Sequence, residues 1–229
     1  SGTGKQFNEN GVLLYEGLFR DGLYHGEGTL FRGNGSKYIS GKWVFGKPHG
    51  PVQFYFPDNG LLQYEGGLKK MDDGSFVFQG QGTLYNQTGQ SVYQGLWEDG
   101  TRSGNGTAWL EDGSIYSGNW VDDYPDGKGT YLFPDGTEYE GGFIRGKKHG
   151  QGTFKEADGF VSYDGEWKDG QRFGRGRVNK RDSSSYEGDW LDGKPHGNGM
   201  FTYPDGRVYT GTMKQGLRQG LGELRRSDG

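Results

Sequence analysis

The stretch Gly127-Lys128-Gly129-Thr130-Tyr131-Leu132-Phe133-Pro134-Asp135-Gly136-Thr137-Glu138-Tyr139-Glu140-Gly141-Gly142-Phe143 decides the fold. An Asp-Gly dipeptide between two alternating segments is the strongest short signal for a β-hairpin, because its turn needs positive φ. Parity along each strand then sorts the side chains. Gly129, Tyr131 and Phe133 share one face of the first strand, and Tyr139, Gly141 and Phe143 share one face of the second. The opposite positions, Thr130, Leu132, Glu138, Glu140 and Gly142, are mostly polar. Glycine and bulky residues therefore alternate on the same face. A ring from one strand lies over the bare backbone of its neighbour, where a β-carbon would push it away. Each aromatic side chain buries about 150–250 Å². Repeated along a ribbon, that burial replaces a two-layer core.

The same phrase recurs outward from this unit. Tyr-x-Gly-x-aromatic reads Tyr93-Gln94-Gly95-Leu96-Trp97, Tyr116-Ser117-Gly118-Asn119-Trp120, Tyr163-Asp164-Gly165-Glu166-Trp167 and Tyr186-Glu187-Gly188-Asp189-Trp190, every 23 or 24 residues. A fixed period of this length marks a repeat array. Units start at Gly2, Gly26, Gly50, Gly80, Gly104, Gly127, Gly150, Gly174 and Gly197, with a partial unit from Gly220 to Gly229. One unit is one hairpin, and nothing has helical periodicity. The expected fold is all-β: an elongated, single-layer antiparallel sheet of tandem β-hairpin repeats, a twisted trough with an aromatic and glycine face. Eighteen strands at roughly 4.8 Å each extend about 85 Å. The whole of residues 1–229 reads as one array of about nine repeats.

Several positions depart from the pattern. Val52 replaces a glycine, and Tyr38 comes one residue early, so Ile39 takes the tyrosine slot or a bulge absorbs the shift. Asp182-Ser183-Ser184-Ser185 implies a differently built turn, and Asp123 stands where a turn glycine is expected. Residues 69–79 read as a loop insertion, either a tolerated loop or a specificity element. The chain opens and closes in mid-phrase. Repeat arrays need capped or partnered ends, which points to a piece of a longer protein or to a homodimer through terminal repeats.

Composition narrows the class. Of 229 residues, 48 are glycine, yet 15 Tyr, 14 Phe and 6 Trp argue against disorder. A net charge of -4 disfavours a general nucleic-acid binder. With no cysteine, disulfides and thiolate metal sites are excluded, which suits a reducing, cytoplasmic setting. His25, His49, His149 and His196 each precede a Gly-x-Gly. They share one repeat slot and do not converge, so they read as turn residues and not as metal ligands. No cofactor is expected. Gly2-Thr3-Gly4-Lys5 lacks the spacing of a phosphate-binding loop. No catalytic triad can be placed.

The phrases Gly150-Gln151-Gly152-Thr153, Asp135-Gly136, Tyr139-Glu140-Gly141 and Asp192-Gly193-Lys194-Pro195-His196-Gly197 resemble the membrane occupation and recognition nexus (MORN) repeat. The resemblance implies a hairpin-per-repeat sheet with a groove lined by the tyrosine and tryptophan positions. It also implies a non-enzymatic scaffold or adaptor at the cytoskeleton, cilia or membrane contacts. In some members the array precedes a catalytic domain.

The functional expectation is a protein or peptide segment held along that groove. Its lining would be Tyr93, Trp97, Tyr116, Trp120, Tyr139, Phe143, Tyr163, Trp167, Tyr186 and Trp190, since aromatic anchors dominate interface energetics. The alternative is a membrane tether or acidic-partner patch built from Lys69, Lys70, Lys147, Lys148, Arg172, Arg175, Arg177, Lys180 and Arg181. A third reading makes the array the targeting part of a larger enzyme.

Overall fold

The computed structural model describes residues 1–226; the last three residues of the expected partial repeat lie outside them. Those residues form nineteen β-strands and no helix. Sequence-adjacent strands pair antiparallel, and the chain divides into two compact units. The first, Ser1–Trp109 with Trp120–Asp123, holds β1 (Gly2–Phe7), β2 (Leu13–Arg20), β3 (Leu23–Phe31), β4 (Lys37–Val44), β5 (Lys47–Tyr55), β6 (Leu62–Lys70), β7 (Phe76–Tyr85), β8 (Ser91–Glu98) and β9 (Thr101–Trp109). β10 (Ile115–Val121) is divided between the units. The second continues with β11 (Tyr124–Leu132), β12 (Glu138–Ile144), β13 (Lys147–Lys155), β14 (Val161–Lys168), β15 (Gln171–Asn179), β16 (Ser185–Leu191), β17 (Lys194–Thr202), β18 (Val208–Lys214) and β19 (Leu217–Arg225). Each unit is an open antiparallel sheet of tandem hairpins.

Register follows the glycines. Gly129 faces Gly141 across β11 and β12, and Gly141 faces Gly152 across β12 and β13. Two turn types alternate, and each has its sequence cause. In the turn at Asp135-Gly136, only Gly136 has positive φ, at 84°. The Asp135 carboxylate accepts the Thr137 amide at 2.9 Å, a side-chain mimic of a backbone turn. In the short turn at Asp192-Gly193 both residues have positive φ, at 50° and 76°, as a two-residue hairpin turn requires. The turn at Asp182 is not built differently after all. Ser183 takes the glycine position at φ 68°, and the Ser184 amide bonds the Asp182 carboxylate at 2.9 Å.

The expected loop at 69–79 is a correction. The extra residues lengthen the β6–β7 hairpin by ladder pairs Lys69 to Val77 and Lys70 to Phe76, and only Met71 to Ser75 turn. Aromatic and β-branched residues at Phe76, Val77 and Phe78 favour strand over loop.

Candidate functional site

The ring-bearing face is built from one interlock, repeated. Tyr139 of β12 lies over Gly152 of β13. A β-carbon on Gly152 would stand 2.3 Å from the tyrosine hydroxyl and 2.5 Å from its ring carbons. The carbonyl of the same glycine accepts the indole N–H of Trp167 from the following strand, at 3.0 Å. The tyrosine hydroxyl donates to the Gly142 carbonyl three residues on, at 3.0 Å. Tyr139 and Trp167 meet edge to face, centroids 5.2 Å apart. The pairs Tyr163–Trp190 and Tyr93–Trp120 repeat the contact at 5.4 Å. Every polar atom on these rings is thus satisfied inside the sheet, so the rings are buried without leaving a donor unpaired.

The exception clarifies the rule. Where Ile39 occupies the tyrosine slot, no flat ring overlies the next strand, and the matching glycine is replaced by Val52, itself buried. The residue that would clash under a tyrosine fills the gap beside an isoleucine.

The ten residues expected to line a groove do lie on the ring-bearing face, but as its interior. All are buried, none more than 6 % exposed. Burial pushes the phenols of Tyr93, Tyr139 and Tyr186 up to about 12 and those of Tyr116 and Tyr163 higher still. In the free protein these side chains hold the sheet together. The accessible apolar part of this face lies beside them in the sheet. It includes Tyr131, Phe154, Val178 and Phe201, all half-buried and paired across the strands with Tyr139, Tyr163, Tyr186 and Tyr209.

A further repeat position, missed by the sequence reading, completes the burial. In six units the residue two before the Gly-x-Gly packs on the preceding tyrosine. Tyr24 stacks on Tyr15 at 3.8 Å and Phe78 on Tyr64 at 3.9 Å. Arg102, Lys148, Arg172 and Arg218 place their cations over Tyr93, Tyr139, Tyr163 and Tyr209. The backbone marks the slot: its carbonyl accepts the turn amide of the next short hairpin, as Lys148 does from Gly170 at 2.9 Å and Arg172 from Gly193 at 3.0 Å. Its members are tyrosine, phenylalanine, arginine, lysine and, at Pro125 and Pro195, proline. Only register, not residue type, could have revealed it.

The nine basic residues do not form one patch. Lys69 pairs with Asp99 at 2.6 Å, Arg175 with Asp189 at 3.3 Å, Arg177 with Glu187 at 3.7 Å and Arg181 with Asp158 at 2.7 Å. Lys70 lies 6.0 Å from the Phe76 ring centre, and Lys147 and Lys180 are exposed. Of the nine, Lys148 and Arg172 come together on the ring-bearing face. They line a hollow of about 360 Å³ with Phe154, Trp167, Gln171 and Asp192. The Lys148 ammonium is 4.7 Å from the ring centres of both Phe154 and Trp167. Burial, with the Arg172 charge adding to it, pushes its pKa down to about 8. Arg172 is lowered as well, chiefly by burial.

The opposite face of the second unit has two larger hollows, of about 710 and 690 Å³. Both are floored by glycine backbone and share Gln151 and Asp164. The first is walled by Arg175, Arg177 and Glu187, whose charges are already ion-paired. The histidines stay apart. Nδ1 of His25, His149 and His196 is buried without a hydrogen-bond partner. Among the described residues no group of three His, Cys, Asp or Glu could hold a metal ion, and no helix is long and apolar enough to cross a membrane.

Comparison with curated proteins gives no match. Among solved structures, the TCP10 domain of Danio rerio CPAP in complex with a peptide of Danio rerio STIL is 12% identical, with a TM-score of 0.46, covering 98% of this chain and 99% of that one. A second structure of the wild-type TCP10 domain of Danio rerio CPAP is 16% identical, with a TM-score of 0.28, covering 100% of this chain and 91% of that one. The family model for the MORN repeat matches residues 15–37, 40–61, 93–115, 116–138, 139–160, 163–178, 186–206 and 209–229. The unmatched interval 62–92 holds the lengthened β6–β7 hairpin. With eight repeats matched over most of its length, the chain belongs to the MORN repeat family.

Proposed function

We propose that this protein is a non-enzymatic binding module that holds a segment of a partner protein across the ring-bearing face of its second unit. One observation carries the reading. Tyr131, Phe154, Val178 and Phe201 are half-buried at one repeat slot, each beside a buried tyrosine of the adjacent strand. Two strands separate successive members, so the stripe offers an apolar contact about every 10 Å. The buried tyrosines and tryptophans make that stripe rigid, and a preorganised surface loses little entropy on binding. The charged groups on this face are cations over rings, not a paired acid and base. The membrane reading draws less support, because four of its nine basic residues are already ion-paired.

Selection from a displayed random-peptide library tests the proposal. Selected peptides should lose binding to the Phe154→Asp and Phe201→Asp variants and keep it for Thr153→Asp and Thr130→Asp, which alter the other face. The reverse pattern would overturn it.

A further inference from the structure

We infer that the hollow between Lys148 and Arg172 is a carboxylate site, which receives an aspartate or glutamate side chain of the bound partner segment. The inference rests on the binding face proposed above and adds the chemistry of one contact on it.

The protein contains its own precedent. In the first unit Arg102 occupies the same repeat slot, 4.2 Å over the Trp120 ring. There the turn residue that bonds its carbonyl is not glycine but Asp123, whose amide donates to Arg102 O at 3.2 Å. The Asp123 carboxylate accepts from Arg102 Nε at 2.9 Å and from the Arg102 amide at 2.9 Å. Asp123 holds this position at φ 67°, a conformation that costs a non-glycine residue strain. At Arg102 a cation over rings in this slot is thus met by a carboxylate from the facing turn.

In the second unit the equivalent turn residues are Gly170 and Gly193. Both line the hollow, and a β-carbon on either would meet nothing within 4 Å. Among the described residues no carboxylate lies within ion-pair distance of Lys148 or Arg172. Glu156 acts on Arg172 only at longer range, and Asp192 lines the hollow without pairing. The ring faces compensate the two charges only in part, and the charges repel each other. An incoming carboxylate supplies what Asp123 supplies to Arg102, and charge-assisted hydrogen bonds of this kind are the strong ones. A lipid headgroup fits less well. The site offers two cations in an aromatic recess, while Arg175 and Arg177 lie on the opposite face and, like Arg181, are ion-paired.

The test uses a synthetic peptide of alternating Glu and Leu, its Gln-for-Glu counterpart, inorganic phosphate and phosphatidylserine–phosphatidylcholine vesicles. The acidic peptide should bind the full chain at least about tenfold more tightly than the Gln peptide, the scale of one charged hydrogen bond. It should also shift the Lys148 ε-carbon resonance. The double variant Gly170→Asp/Gly193→Asp, which fills the hollow from within, should erase the preference. Gly170→Asn/Gly193→Asn, with the same backbone demand and no charge, should keep it. Lys148→Met/Arg172→Met keeps an apolar cover on the rings and should erase the preference independently. Equal binding of both peptides to the ring-bearing face would overturn the carboxylate site and leave the binding module standing. Binding that responds only to substitutions on the opposite face would overturn the module as well. If phosphate or the vesicles compete with the same dependence on Gly170 and Gly193, the partner-carboxylate assignment fails in favour of a general anion site.

Discussion

Replacing Gly152 with alanine should destabilise the second unit by about 2–3 kcal/mol. The added β-carbon would lie 2.3–2.5 Å from the Tyr139 ring and hydroxyl. Normal contact begins near 3.4 Å, so the ring must retreat by about 1 Å. It has no room to do so. Phe143 and Trp167 hold its edges at 5.1 and 5.2 Å, and its hydroxyl is tied to the Gly142 carbonyl. Overpacking of this kind costs about 1–3 kcal/mol, and the loosened hydroxyl bond adds about 1 kcal/mol. Alanine returns about 0.4–1 kcal/mol by restricting the unfolded chain. Gly152 is not among the positive-φ glycines, so backbone strain does not confuse the result. Urea unfolding followed by tryptophan fluorescence should show a lower midpoint at unchanged slope. In a Tyr139→Ala background the clash disappears, and Gly152→Ala should become neutral or mildly stabilising. An equal loss in both backgrounds would refute the interlock.

Three other outcomes are expected. Trp167→Phe removes the indole N–H from the Gly152 carbonyl and should cost about 1–2 kcal/mol in the same urea assay, more than the lost ring area alone. Asp123→Asn should lower stability by about 1–2 kcal/mol, because it weakens the half-buried pair with Arg102 without relieving the turn; raised stability would contradict this role. Alkali should unfold the protein in the window from pH 10 to 12. Phenols such as Tyr15, Tyr93, Tyr139 and Tyr186 ionise near 10 when unfolded and near 12 when folded. The folded state therefore binds more protons in that window, and stability falls by about 3 kcal/mol per such ring as pH rises through it. Lys148 runs the other way: its folded pKa is depressed, so its contribution rises with pH between about 8 and 10.5. Circular dichroism across this range reads the net effect, and unfolding complete below pH 9 would contradict the assignment.

Hairpin order and facing were legible in the sequence because strand parity and turn glycines are local facts. Tyr139, Gly141 and Gly152 announce a face by their spacing alone. Depth was not legible. Parity says which way a ring points, not how much of it remains exposed once Lys148 and Trp167 have closed over it. The covering slot was hidden because Tyr24, Phe78, Arg102 and Lys148 share a position and no chemistry. The basic run from Arg172 to Arg181 misled by proximity. Alternation sends Arg172 to the ring-bearing face and Arg175 and Arg177 to the other, where acidic neighbours pair them. The surplus at 69–79 suggests a loop by its length, although Phe76, Val77 and Phe78 carry a strand signal.

The α-proton shifts of Gly106, Gly129, Gly152, Gly176 and Gly199, measured by NMR, test most directly whether tyrosine rings sit flat over bare backbone. All five should be displaced strongly upfield by ring currents, and Tyr139→Leu should return Gly152 to the ordinary range while leaving Gly199 unchanged. Glycine shifts at ordinary values in the intact protein would contradict the account.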